Sequence, residues 1–119
     1  MAARLTELVI DARDPASLAS FWMSALGWEL AGTDEDGVEI SDPSGRSPTF
    51  MFAHVPEAKA GKNRLHVDLN PVDCDQDEEL ARLLALGAHT VDIGQGVQSW
   101  IVLADPEGNE FCLLRTRQE

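Results

Sequence analysis

Positive charge is what this chain has least of: nine Lys and Arg stand against 21 Asp and Glu, a net charge of -12. With an isoelectric point near 4.4, neither nucleic acid nor an anionic membrane is an expected partner, because both repel such a surface. Long apolar runs are missing too. None approaches the roughly 20 residues that span a bilayer, and the opening MAARLTELVIDARD lacks the apolar core of a signal peptide. Cysteine is limited to Cys74 and Cys112, which suits a reducing compartment; no disulfide and no zinc knuckle is expected from their spacing. A cytoplasmic location is the expectation. What remains is an ordinary globular composition, 44% hydrophobic and 25% charged over 119 residues, enough for one domain with a real core spanning 1–119.

Along the chain the pattern β-α-β-β-β occurs twice. LTELVIDA, residues 5–12, reads as a strand and runs into Asp14-Pro15, an N-cap followed by proline at the first helical position. Leu18, Phe21, Trp22, Ala25 and Leu26 then recur at spacings of three and four until Gly27 stops the helix. Strand-like segments follow near 28–31, 37–41 and 49–54, separated by TDEDG and DPSGRSP turns. The second half repeats this order: a strand in RLHVDLN, a helix in DCDQDEELARLLALG capped by Asp73 or Asp75, and strands near 88–92, 99–104 and 110–115. Asp14 to Asp73, Gly27 to Gly87 and Asp42 to Asp105 are offset by 59, 60 and 63 residues. A fixed offset with small drift marks tandem modules that complete each other's core. Module one is 1–54, the polar VPEAKAGKN of 55–63 is a linker, and module two is 64–119.

The stretch KNRLHVDLN places a histidine inside a strand. Leu65, Val67 and Leu69 alternate with Arg64, His66, Asp68 and Asn70, so one face is apolar and the other polar. In the first strand Leu5, Glu7, Val9 and Asp11 share the corresponding face. A carboxylate and an imidazole brought together there would form a usable acid–base pair, or simply an ion pair at the module junction.

The paired βαβββ order, DPASLASFWMSALGW on the first helix, RLHVDL on the fifth strand and LADPEGNEFCLL near the end resemble the vicinal oxygen chelate superfamily, which holds glyoxalase I, extradiol dioxygenases and the bleomycin- and fosfomycin-resistance proteins. The likeness covers nearly the whole chain and is greatest to small glyoxalase-like, bleomycin-resistance-like members. It implies an α+β fold in which two modules build a curved mixed sheet around a cleft, with helices on the outer face. It also implies metal ligands on the first and last strands of each module. Seven residues before the helix-start Asp stand Glu7 and His66; seven after each DP turn stand Thr49 and Cys112, where metal-dependent members carry carboxylates. Only His66 matches outright. Glu7 is a ligand of another type, Thr49 does not replace a carboxylate, and Cys112 offers a thiolate suited to zinc rather than to an oxygen-loving metal.

Glu7 and His66 are therefore the catalytic and metal-binding candidates, with zinc, nickel, manganese or iron as the cofactor classes. Trp28, Phe50, Phe52, Asp68 and Trp100 are the ligand-binding candidates, since aromatic faces wall a site for planar ligands. For the aromatics, packing of sheet against helix is the equal alternative. The function expected is small-molecule binding in an aromatic-lined cleft with an incomplete metal site. The alternative is a divalent-metal-dependent lyase, isomerase or dioxygenase, and a module used only for assembly is the third reading. Lactoylglutathione lyase activity is not expected, and members of this fold commonly form homodimers.

Overall fold

Asp14 sets the first helix in place. Its carboxylate accepts from the Ser17 N–H at 3.2 Å and the Ser17 hydroxyl at 2.9 Å, and the hydroxyl above all holds that carboxyl below its ordinary pKa. In the computed structural model, which describes residues 1–119, helix α1 (Pro15–Leu26) runs from this cap to Gly27, whose φ of 68° is left-handed and whose N–H returns to the Met23 carbonyl. Around it lie β1 (Glu7–Ala12), β2 (Glu29–Thr33), β3 (Gly37–Ser41) and β4 (Thr49–His54). The sheet order is β1-β4-β3-β2, with β1 parallel to β4 and the other pairs antiparallel. In register, Leu8 meets Phe50, Ile10 meets Phe52, Phe50 meets Ile40 and Phe52 meets Val38. Paired residues share a face, so these six make one apolar surface beneath the buried Leu18, Phe21, Trp22 and Ala25 of α1.

The second module repeats the plan with shorter strands: β5 (Asp68–Leu69), α2 (Gln76–Leu86), β6 (His89–Thr90), β7 (Ile101–Ala104) and β8 (Glu110–Leu113), in the order β5-β8-β7-β6. The chain thus forms two compact units, Met1–Ala58 and Lys59–Glu119, each with its own four-stranded mixed sheet. The expected α+β class and the doubled βαβββ order are both present. No helix is long and apolar enough to cross a membrane.

One expectation about module two needs correction, and one open alternative is decided. The strand anticipated over 64–70 is regular only at Asp68–Leu69. Val67 still accepts from the Cys112 N–H and Leu69 from the Leu114 N–H, but Leu65 is 83% exposed. Residues 64–65 form a bend before the ladder begins. At the other end Pro71 has no N–H to donate. The apolar face anticipated from Leu65, Val67 and Leu69 therefore reduces to Val67 and Leu69. Of the two caps that the sequence offers for α2, the structure uses Asp75, whose side chain accepts from the Glu78 N–H, while Asp73 sits at a left-handed φ of 61° before the helix.

The 55–63 linker is tied to the last strand through Glu110. Its carboxylate pairs with the Lys59 ammonium at 3.1 Å and accepts from the Asn63 N–H at 3.2 Å. Burial alone would raise the Glu110 pKa, yet its own N–H, Lys59 and Asn63 together hold it below its ordinary value. Asp105, fully buried, organises the preceding turn by accepting from the N–H groups of Glu107 and Asn109 and from the Asn109 side chain.

Gly37 is fixed by space rather than by backbone angle: a Cβ there would lie 2.0 Å from the Phe52 carbonyl oxygen, a ladder atom that cannot give way. Gly37→Ala should therefore lower stability by about 2 kcal/mol or more. Urea unfolding would read this as a lower midpoint; an unchanged midpoint would contradict it.

Candidate functional site

The parallel pairing of each module's first strand with its last decides which side chains can meet. In module one Glu7 pairs with Thr49, and Glu7, Val9 and Asp11 point away from α1, exposed. The Thr49 hydroxyl is turned to the Thr6 carbonyl at 3.4 Å. In module two the equivalent pair is Asp68 with Cys112. His66 stands two residues before Asp68, just ahead of β5, and its ring lies beside the Asp68 carboxylate.

Three different donors converge there. His66 Nδ1 lies 3.6 Å from Asp68 Oδ1 and 4.0 Å from Cys112 Sγ, and the three ligand atoms all fall within 4.8 Å of one another. The His66 and Asp68 side chains are 44% and 51% exposed, whereas Cys112 is 6% exposed. Burial first, and then the charge of Asp68, push the Cys112 thiol pKa up.

The geometry discriminates between two chemistries. A Cys–His–Asp relay needs the thiol on one ring nitrogen and the carboxylate on the other, so that a proton can pass across the imidazole. Here both groups address Nδ1, which is the arrangement of donors around a common point. Donors bound to zinc at about 2.0–2.3 Å in a tetrahedron are separated by roughly 3.3–3.8 Å, close to the 3.6 and 4.0 Å found. Imidazole, carboxylate and thiol are also the three protein donor types zinc accepts. The residues present fit a divalent cation.

The other sequence candidates fall elsewhere. Phe50 and Phe52 face the helix side of the first sheet and are buried; Phe50 stacks 6.1 Å from Trp22 and 5.0 Å from Trp28, and Phe52 lies 6.3 Å from Phe50. Strand alternation is the reason, since Thr49, Met51 and Ala53 take the opposite face. The aromatics of module one are thus a packing cluster in which Trp28 is the half-buried margin, and the alternative of sheet-to-helix packing describes them. Trp100, 38% exposed, precedes β7 at the end of the Gly94–Gly96 loop. Glu7 belongs to the first unit and His66 to the second. The two are not equivalent positions as the Asp14–Asp73 match implied: with Asp75 as the cap and Asp68 opposite Cys112, the counterpart of Glu7 is Asp68, both shifted by 61 residues. The trio itself was not assembled from sequence. Its signal was the His-x-Asp spacing on one strand face, together with a cysteine seven residues after the DP turn.

The model of the glyoxalase-like domain family matches residues 7–114, and the chain belongs to that family. No curated protein matches it in sequence. Among solved structures, it is similar to a glyoxalase/bleomycin resistance protein/dioxygenase family enzyme from Burkholderia phytofirmans, with a TM-score of 0.71 at 17% identity over 93% of this chain and 97% of that one. It is also similar to the fosfomycin resistance protein FosX from Listeria monocytogenes, with a TM-score of 0.72 at 16% identity over 98% and 93%. A variant of that Listeria protein, complexed with Mn(II) and dihydroxypropylphosphonic acid, gives 0.72 at 16% over 96% and 93%. At these identities the likeness establishes the fold.

Since the Asp68 charge contributes to keeping Cys112 protonated, Asp68→Asn should speed its reaction with a disulfide reagent at fixed pH. Measured in a Cys74→Ser background, where Cys112 is the sole thiol, equal rates with and without Asp68 would contradict the assignment.

Proposed function

We propose that this protein binds a small molecule on the sheet face that carries His66, Asp68 and Cys112, with a divalent cation as part of the site. The observation that carries the reading is the convergence of imidazole, carboxylate and thiol in a glyoxalase-like chain. The half-exposed His66 and Asp68 leave one side of the trio open to a ligand, and Trp100 is retained as a wall for it. Glu7, in the first unit, stays a candidate acid–base group on the family resemblance alone and is not a donor to this cation. The protein acts in the cytoplasm as a homodimer in this reading, and sedimentation at micromolar concentration should give about twice the 13.0 kDa chain mass; a monomer alone would count against the dimer.

The second reading is an enzyme, a lyase, isomerase or dioxygenase. When bound, the cation would supply Lewis-acid polarisation of two neighbouring substrate oxygens. His66 and Asp68 would hold it by one strand, and Cys112 by the next. Lactoylglutathione lyase chemistry is not part of this reading, because Thr49 stands where a carboxylate is required. An assay with the methylglyoxal–glutathione hemithioacetal and added zinc or nickel should show no turnover.

The test of binding is thermal shift with catechol, fosfomycin and a hydroxyphosphonate, each with and without zinc. A binder raises the melting temperature with concentration, by the equivalent of about 2.7 kcal/mol at a hundred times its Kd. No shift with any of the three would favour a module used only for assembly.

A further inference from the structure

We infer that His66, Asp68 and Cys112 form a thiolate-containing zinc site built wholly from the second module, selective against manganese and magnesium and requiring no donor from the first. The inference rests on the reading above of this sheet face as the site, and it adds which metal and which donors.

The first support is how firmly the donors are placed. Cys112 and Asp68 are register partners on adjacent parallel strands, and the Cys112 N–H is anchored to the Val67 carbonyl at 3.0 Å. Val67 lies between His66 and Asp68, so this bond sets the backbone of all three residues beside one another. A site held by sheet hydrogen bonds is largely preorganised for the ion.

Donor chemistry comes next. Manganese and magnesium favour carboxylate, carbonyl and water, whereas thiolate with imidazole favours zinc. The Listeria relative was solved with Mn(II); a sulfur donor at Cys112 points this chain to a softer cation. Exposure sets the shape of the centre. The sulfur is buried and the other two donors are half in solvent, so a bound ion would keep a solvent-facing position for a fourth ligand, the open pattern of three protein donors plus water. Binding replaces the Cys112 S–H bond by a sulfur–zinc bond and releases that proton to solvent. His66 contributes the Nδ1 lone pair and keeps its hydrogen on Nε2.

The experiment is titration of the full chain with cobalt(II) as a spectroscopic stand-in, followed by zinc(II) and manganese(II). Cobalt should give an intense near-ultraviolet thiolate-to-cobalt band and tetrahedral visible bands at one ion per chain. Zinc should abolish them stoichiometrically, and manganese in large excess should not. Cys112→Ser should remove the ultraviolet band. His66→Ala and Asp68→Asn, at half-exposed positions that leave the core intact, should each weaken cobalt binding by about tenfold or more, since loss of even an outer-shell partner costs about 10–100-fold. Glu7→Gln should leave binding unchanged. Absence of the band, displacement by manganese as readily as by zinc, or weakening by Glu7→Gln comparable to His66→Ala would each overturn the inference. A cobalt band with no thermal shift from any small molecule would sustain the metal site and remove the ligand-binding reading; the reverse result would do the opposite.

Discussion

Everything at the site depends on the parallel pairing of a module's first strand with its last. Residues that lie more than forty positions apart, Glu7 with Thr49 and Asp68 with Cys112, become neighbours only through that ladder. A parallel pair requires a crossover, and here the helix and two antiparallel strands between supply it. The register is strict because a slip of one residue would send Leu8 and Ile10 of the first module to the exposed face and Glu7 and Asp11 into the helix layer. The same constraint that buries the core therefore chooses the donors.

The modules use one plan for different ends. Module one concentrates aromatic rings, Phe21, Trp22, Trp28, Phe50 and Phe52, between sheet and helix, in edge and tilted geometries that favour ring pairs. Its helix buries five side chains. Helix α2 buries only Glu79 and Leu83, and Glu79 is neutralised by a bidentate contact with Arg82 at 2.7 Å. Module two is instead held by polar ties: Gln76 from the helix start to the carbonyls of Ser99 and Leu113, Asp105 within its turn, and Glu110 to the linker. The donor-bearing strand sits in the module with the smaller helix-side core.

Much of this was legible in sequence because it is local or periodic. The N-cap at Asp14, the left-handed stop at Gly27 and the doubled element order follow from short-range chemistry and hydrophobic spacing. Alternation separated the two faces of β1 correctly, with Glu7 opposite Leu8 and Ile10. What stayed open or was misread depended on tertiary pairing. Two aspartates, Asp73 and Asp75, offer equal caps by type, and only the backbone shows that Asp73 takes a left-handed turn while Asp75 caps. That two-residue shift moves the counterpart of Glu7 from His66 to Asp68. Phe50 and Phe52 carry no mark in sequence of the face they choose; their strand neighbours Thr49 and Met51 decide it. Leu65 reads as apolar strand, but its segment bends before the ladder starts.

The scarcity of positive charge gives the trio a further consequence. With nine basic against 21 acidic residues, the surface as a whole repels anionic small molecules and attracts cations over a distance limited by salt to about 8–10 Å. A ligand rich in negatively charged oxygens cannot be held by such a chain through its average field. It needs a local reversal of sign. A divalent ion supplies one where it is bound, often as the largest single charge in a site. On that argument the acidic composition and the trio would be complementary: the first would gather the proposed cation, and the second would hold it beside the half-exposed His66 and Asp68.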